Sequence, residues 1–248
     1  MRTFAALALL AVAEAGCGGH TPETARVLGA QVQRCADGEI RHLGSQRTAY
    51  VGVAPYGAIA YDRPGGAVRA RFGPKNVNSY PTVFGVTGAV VRRDCSPSWY
   101  RVQLPRRPNG ITGYVRARAL DVQTVKVRIL VDVSDRRLTL FRAGRPELTA
   151  TVAVGSPSTP TPTGRYYVNQ RLVPTDPRGP FGPGAIGISA FSNVLTGWTQ
   201  GGPIAIHGTN EPWSIGHAVS NGCIRLPNPT LEQVFRQAVA GTPVIIRA

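Results

Sequence analysis

Short apolar runs, repeatedly interrupted by glycine and proline, cover most of this chain and restrict how it can fold. Its 248 residues include 29 glycines and 21 prolines. Between Ala49 and Val122 the runs include Val51–Ala54, Ala58–Tyr61, Trp99–Leu104 and Thr112–Val115. Short strands separated by turn residues are typical of small β-barrels and sandwiches. The pattern therefore predicts a mainly β protein.

The pattern changes after about Thr124, where longer apolar stretches alternate with proline-rich loops. The predicted strands are Val125–Val133, Leu138–Phe141, Leu148–Val154 and a closing strand Thr242–Ile246. The segments Gly155–Gly164 and Arg171–Gly187 are rich in proline and glycine, so we expect loops there. Long loops on a β scaffold often carry binding residues.

One amphipathic helix is predicted near the end of the chain. Asn228 is placed to cap it, Pro229 suits its first turn, and Gly241 ends it. Its apolar face repeats at helical spacing. That face contains Leu231, Val234, Phe235, Ala238 and Val239.

The last part of the N-terminal β region has a distinctive sequence. Trp99–Pro105 is followed by Asn109–Arg116, and the pair Asn109-Gly110 favours a hairpin turn because both residues tolerate positive φ. The stretch resembles the end of a bacterial SH3-like domain. The resemblance implies a small SH3-like β-barrel over residues 47–122, ahead of a second domain over residues 124–248.

The charge balance is strongly basic, with 28 Lys and Arg against 13 Asp and Glu, a formal net charge of +15. Lysine occurs only at Lys75 and Lys126. One interpretation is attraction to an anionic polymer, and the other is arginine usage inherited from the genome. The arginines are spread along the chain with no motif for groove or base recognition, so we expect no nucleic-acid partner.

The first residues resemble an export signal. Arg2 precedes the apolar run Phe4–Ala13, which is too short to span a membrane. Ala15-Gly16-Cys17 resembles a lipoprotein processing site, although Glu14 departs from that pattern and a cut without lipid attachment would also fit. We expect a signal over residues 1–17, a tether over 18–46, and a location in the cell envelope outside the cytoplasm, with membrane attachment only through lipid on Cys17.

Four cysteines are present: Cys17, Cys35, Cys95 and Cys223. In an exported protein spare thiols tend to pair. We expect Cys17 to be lipidated or removed, Cys35 to bond Cys95, and Cys223 to remain free as a reactive thiol. The alternative is that Cys35 and Cys95 are separate buried thiols.

The densest chemical signal lies between Ile204 and Leu226. His207 ends an apolar run and is followed by Gly208, while Cys223 follows Gly222. A cysteine attacks as its thiolate, and a nearby imidazole usually lowers its pKa. Backbone N–H groups around Gly222 and Cys223 would stabilise the oxyanion of a tetrahedral intermediate.

This segment resembles the L,D-transpeptidase catalytic domain (YkuD-like). The shared features are His207-Gly208 and Ser220-Asn221-Gly222-Cys223-Ile224-Arg225, in the same order and at the same spacing. The resemblance implies a β-sandwich with a C-terminal helix that forms crosslinks between stem peptides of peptidoglycan. In that family the thiolate attacks an L-centre carbonyl, typically of meso-diaminopimelate, and expels the terminal D-Ala.

The resemblance also implies the roles of the surrounding residues. Cys223 is the nucleophile and His207 the base, with the carbonyl of Gly208 holding the imidazole. Arg225 pairs with a substrate carboxylate or shapes the pocket, Ser220 supports the loop, and Gly222 leaves space for an acyl group at the sulfur. Many members carry histidine where this chain has Asn221, so Asn221 has no acid or base role, and its contribution is limited to substrate binding.

Several alternatives compete with this interpretation. His207, His217 and Cys223 form an incomplete zinc set with no fourth ligand, so we predict neither metal nor cofactor. Transfer of the acyl group to water instead of an amine would make the protein an L,D-carboxypeptidase. A non-catalytic cell-wall-binding protein is the other class. We expect a monomer that acts on stem peptides.

Overall fold

The computed structural model describes residues 34–248. The predicted signal over residues 1–17, Cys17 and the tether as far as residue 33 lie outside the described residues. The prediction of a mainly β protein is confirmed. In the described part of the chain, no helix is long and apolar enough to cross a membrane.

The N-terminal region is an eight-stranded sheet. Its strands are β1 (Ile40–His42), β2 (Ala49–Val53), β3 (Ala58–Tyr61), β4 (Val68–Phe72), β5 (Val83–Val91), β6 (Pro97–Gln103), β7 (Thr112–Arg116) and β8 (Asp121–Val125). The hydrogen-bonded order is β4-β3-β7-β6-β5-β2-β8, and β1 pairs with β5. Small and branched side chains fill its core around Phe84, which is fully buried.

Two features of this region differ from the sequence predictions. Residues 34–46 are not a tether, because β1 pairs with β5 and Cys35 is bonded to Cys95 with an S–S distance of 2.03 Å. Asn109-Gly110 lies in a turn as predicted, where the Ile111 N–H donates to the Pro108 carbonyl at 3.3 Å, but the loop is longer than a two-residue hairpin because the pairing of β6 and β7 stops at Gln103 and Thr112. The side chain of Asn109 contacts the second sheet.

The C-terminal region is a second eight-stranded sheet. Its strands are β9 (Val127–Asp132), β10 (Arg137–Arg142), β11 (Arg145–Thr151), β13 (Gly164–Leu172), β14 (Ala185–Phe191), β15 (Pro203–His207), β17 (Ile224–Arg225) and β18 (Pro243–Arg247). A separate parallel pair joins β12 (Val154–Gly155) to β16 (Ala218–Ser220). The order of the large sheet is β11-β10-β9-β18-β13-β14-β15-β17.

Strand β13 changes its pairing partner along its length. Gly164–Tyr167 pair with β18, and Val168–Leu172 pair mainly with β14. A strand that changes partners along its length is a typical way to turn a sheet around a core. In β15 the inward residues alternate with outward ones, and the inward Ile204 and Ile206 are both buried.

The helix α1 (Asn228–Gln237) packs Leu231 and Val234 into this core. The predicted cap is wrong, since Asn228 is the first helical residue and its Oδ1 accepts a hydrogen bond from the backbone N–H of Thr209, 2.8 Å away. The predicted end is also wrong, because the helix ends at Gln237 and Val239 is exposed.

The two sheets share one interface. The Tyr167 hydroxyl donates a hydrogen bond to the Val83 carbonyl at 3.0 Å, and Val51 belongs to the same buried cluster as the C-terminal core. Gly241 lies so close to Val51 that a Cβ there would come within 2.2 Å of the Val51 Cβ. The N-terminal sheet is therefore packed directly onto the C-terminal one.

Candidate active site

His207 and Cys223 lie on neighbouring parallel strands. His207 ends β15, and Cys223 immediately precedes β17, whose Ile224 and Arg225 are in register with Ile206 and His207. Cys223 is therefore beside Ala205, one diagonal step from His207. With the spacings of a parallel sheet, their Cα atoms are roughly 8 Å apart, within the combined reach of the two side chains.

The imidazole of His207 has a defined tautomer. Its Nδ1 is 2.5 Å from the carbonyl oxygen of Gly208, and a carbonyl can only accept, so Nδ1 carries the proton. This leaves Nε2 available as a base. The Phe181 ring contacts the imidazole edge to face, with centroids 5.0 Å apart, and helps to exclude water.

Position 208 requires glycine because the neighbouring atoms leave no room for a side chain. A Cβ at this position would lie 2.4 Å from Oδ1 of Asn228 and 2.9 Å from Cδ of Pro183. The Asn228 side chain therefore packs against Gly208, whose carbonyl orients His207. Because its Oδ1 also binds the N–H of Thr209, Asn228 restrains the backbone after the histidine from two sides.

Burial lowers the pKa of His207 to about 4, and the positive charge of Arg225 acts in the same direction. The hydrogen bond to the Gly208 carbonyl opposes this shift because it favours the protonated ring. At neutral pH the imidazole is uncharged, as a general base must be.

Burial also raises the pKa of the Cys223 thiol. A hydrogen bond from the Ala205 backbone and the charge of Arg225 lower it, but to a smaller extent. The sequence predicts that His207 lowers the pKa of the Cys223 thiol. In the structure this pKa is raised instead, because burial penalises the charged thiolate. The resting pair is a neutral thiol and a neutral imidazole.

The loop before Cys223 is closed by its own hydrogen bonds. The Ser220 hydroxyl donates to the Cys223 carbonyl at 2.6 Å and accepts the N–H of Gly222 at 3.1 Å. The N–H of Gly222 is therefore already used, contrary to the predicted oxyanion role. Gly222 instead supplies the positive φ of 107° that the turn needs.

The proline-rich loop after β12 supports the cysteine loop, which the sequence analysis did not predict. The Thr159 hydroxyl donates to the Ser220 carbonyl, and the Thr161 hydroxyl donates to the Gly222 carbonyl, both at 2.9 Å. Threonines alternating with prolines were the available signal, since such a stiff segment presents its hydroxyls in fixed positions.

Arg225 forms an ion pair with Glu211, which lies just before a short 3-10 helix, Pro212–Ser214. The Arg225 side chain is 19% exposed, and its Nε is buried with no partner among the described residues. The sequence analysis missed Glu211 because nothing in its local context marks it. Its partner is 14 residues away.

The remaining predicted residues lie around this centre. Asn221 and His217 are both exposed. Within residues 34–248, no group of three or more His, Cys, Asp or Glu side chains is arranged to hold a metal ion. The Cys35–Cys95 disulfide lies in the N-terminal sheet, and Cys223 is a free, half-buried thiol.

A half-buried thiol beside a neutral, oriented imidazole on a β scaffold is the arrangement of a cysteine acyltransferase. A family model described as the L,D-transpeptidase catalytic domain matches residues 126–246. The chain belongs to this L,D-transpeptidase family.

Two relatives agree with this assignment by sequence. The chain is 38% identical over 126 residues to "Putative L,D-transpeptidase YkuD" of Bacillus subtilis (strain 168), covering 51% of this chain and 69% of that protein. Identity to the protein of the same name in Bacillus licheniformis is 37%, over 50% of this chain and 67% of that one. L,D-transpeptidase 3 of Mycobacterium tuberculosis, a solved structure, gives a TM-score of 0.42 and 17% identity, covering 61% of this chain and 79% of that chain.

Proposed function

We propose that this protein is a peptidoglycan L,D-transpeptidase that crosslinks stem peptides through a thioester on Cys223. The observation that carries the proposal is the register of β15 and β17, which places Cys223 one diagonal step from an imidazole whose Nδ1 is bound to the Gly208 carbonyl. Family membership supports the same chemistry.

The first half-reaction acylates the thiol. His207 Nε2 takes the proton of Cys223 as the sulfur bonds to the carbonyl carbon of the L-centre residue in the donor stem. The tetrahedral intermediate then breaks its C–N bond, and His207 returns the proton to the departing amine of D-Ala. Proton transfer during attack suits a thiol whose resting pKa is raised, because no thiolate has to persist in the buried site.

The second half-reaction transfers the acyl group. The side-chain amine of another stem attacks the thioester, His207 removes its proton, and the C–S bond then breaks as His207 returns that proton to the sulfur, which releases the Cys223 thiol. The N–H of Cys223 is the candidate oxyanion donor, since that of Gly222 is bound to Ser220. Arg225, with its unpartnered Nε, is a candidate group for substrate binding, together with the exposed Asn221.

We assign two domains to the described chain. Residues 34–125 form the first domain, for which an SH3-like identity is supported by its short, turn-rich strands. Residues 127–248 form the catalytic domain, which begins at β9. The disulfide supports an oxidising location outside the cytoplasm. Export by a signal over residues 1–17 and lipid attachment at Cys17 remain proposals from sequence.

Mass spectrometry with a carbapenem tests the nucleophile, because this class of β-lactam acylates the family's thiol. We expect one adduct on Cys223 in the wild-type protein and none in a Cys223→Ala variant with an unchanged thermal unfolding curve. An adduct in the variant would refute the assignment. With purified muropeptides, crosslinked dimers are expected, whereas tripeptide released without dimers would make the enzyme an L,D-carboxypeptidase.

A further inference from the structure

A row of four residues crosses one face of the catalytic sheet and ends at the thiol. Gln170 on β13 is in register with Gly187 on β14, and Gly187 is in register with Ala205 on β15. Cys223 lies beside Ala205 at the start of β17. Two strand spacings separate Gly187 from Cys223, a distance of about 10 Å.

The side chain of Gln170 lies across Gly187. A Cβ at Gly187 would come within 2.5 Å of the Gln170 Cγ and 2.8 Å of its Nε2. Gln170 is only 8% exposed, so this position is well defined by packing. Glycine at position 187 therefore provides the space in which a carboxamide nitrogen lies over the row leading to Cys223.

The N-terminal domain fixes the other end of this carboxamide. Oε1 of Gln170 accepts hydrogen bonds from Nδ2 of Asn76 at 2.7 Å and from Nδ2 of Asn78 at 3.0 Å. Both asparagines lie between β4 and β5. Within the described residues, Nε2 of Gln170 has no acceptor. The side-chain amides of Asn76 and Asn78 therefore orient a Gln170 N–H that is not hydrogen-bonded.

A cavity of about 380 Å³ opens beside this carboxamide. It is lined partly by Asn169, whose Oδ1 is buried with no partner among the described residues, and by Pro203, two residues before Ala205 on the same strand. An unused donor at Gln170 and an unused acceptor at Asn169 together complement a peptide group, which presents one carbonyl and one N–H.

We propose that Gln170 and Asn169 form a subsite for a backbone peptide group of the donor stem, held in place by Asn76 and Asn78 of the N-terminal domain. The subsite rests on the proposed function. An extended chain spans about 3.3 Å per residue, so the subsite binds the donor stem about three residues from the carbonyl that Cys223 attacks. The N-terminal domain thereby contributes to donor selection by orienting Gln170.

The test compares donors of different length in a Gln170→Glu variant. The carboxylate keeps the acceptor for Asn76 and Asn78 but removes the N–H donor. We expect KM for a stem tetrapeptide to rise about tenfold, the effect of one lost hydrogen bond, with kcat nearly unchanged. The C-terminal dipeptide of the same stem is too short to reach the subsite, so its KM stays at the wild-type value. The rate of acylation by a carbapenem also stays at the wild-type value.

Two further variants separate positioning from general damage. Asn78→Ala removes one donor to Gln170 and keeps Asn76, whose Oδ1 also accepts the N–H of Tyr80, so KM for the tetrapeptide rises severalfold, again without a change for the dipeptide. Gln123→Glu, on an exposed position of β8, is the matched control and keeps the wild-type constants.

The proposal is overturned if KM for the tetrapeptide is the same in Gln170→Glu and wild type, or if tetrapeptide and dipeptide weaken equally. In both cases a normal carbapenem adduct at Cys223 would leave the proposed function intact. A wild-type protein that forms no adduct and no product would overturn both.

Discussion

Arg225 and Glu211 form an ion pair within the active site, one strand away from His207. The arginine is mostly buried, whereas the carboxylate of Glu211 is 44% exposed and accessible to solvent. The same guanidinium lowers the pKa of both His207 and Cys223. Glu211 therefore helps to fix the position of the guanidinium whose charge acts on both groups, and under the proposed function a substrate carboxylate would share or replace Glu211.

A Glu211→Gln variant tests this relationship. Removing the carboxylate charge leaves Arg225 without its anionic partner, so we expect kcat/KM for acylation to fall about tenfold and the free energy of unfolding to fall by about 1 kcal/mol, as for a partly exposed pair. Acylation kinetics and urea unfolding measure the two effects. Glu232→Gln, on the exposed face of α1, is the control. Unchanged kinetics in Glu211→Gln would show that Arg225 does not need its partner.

The pH dependence of acylation follows from the base. As the proposed base, His207 works only when it is neutral, and burial lowers its pKa to about 4. We therefore expect kcat/KM for carbapenem acylation to rise with pH through about 4 and to show no ionisation of a histidine near its ordinary value of 6.5. Stopped-flow fluorescence between pH 3.5 and 8 measures this limb. An acidic limb centred near 6.5 would mean that the imidazole is solvated in the working enzyme.

The same group makes folding stability depend on pH. The pKa of His207 is about 4 in the folded chain and ordinarily 6.5, so between these values the unfolded chain binds the extra proton. This stability is fully present above pH 6.5 and is lost as pH falls toward 4, by roughly 3 kcal/mol at most. Urea unfolding across this range should show a shallower pH slope in His207→Asn than in wild type. Identical slopes in the two proteins would contradict the assignment.

Gly208→Ala should damage the site through packing. The new Cβ would meet Oδ1 of Asn228 at 2.4 Å, and overpacking of this kind costs about 1–3 kcal/mol. We expect a lower unfolding midpoint and slower acylation, because the carbonyl that orients His207 must shift. A second change, Asn228→Ala, should restore part of both losses.

Gly197→Ala is the matched control for this experiment, since no atom lies within 4 Å of a Cβ at that position. It should leave both stability and acylation unchanged. Equal losses in Gly197→Ala and Gly208→Ala would show that the contact with Asn228 is not the cause.

Much of the fold could be predicted from local patterns. Alternating apolar residues and turn-forming glycines indicate β2, β3, β6, β7 and β10 directly, because side-chain alternation is a property of the strand itself. The pairing of His207-Gly208 with Gly222-Cys223 likewise indicates the family, which the comparisons confirm. The predictions failed where local and tertiary preferences compete, as for Asn228, whose side chain binds Thr209 instead of capping its own helix.

The sequence by itself determined the mainly β class and the residues on which the chemistry is proposed to depend, because both are encoded in neighbouring residues. The tertiary structure decided the ionisation of the site, since burial raises the pKa of Cys223 and lowers that of His207. It also decided the partners of Arg225 and Gln170, which lie 14 residues away and more than 90 residues away along the chain. Such contacts depend on how the strands pack, and no local pattern specifies them.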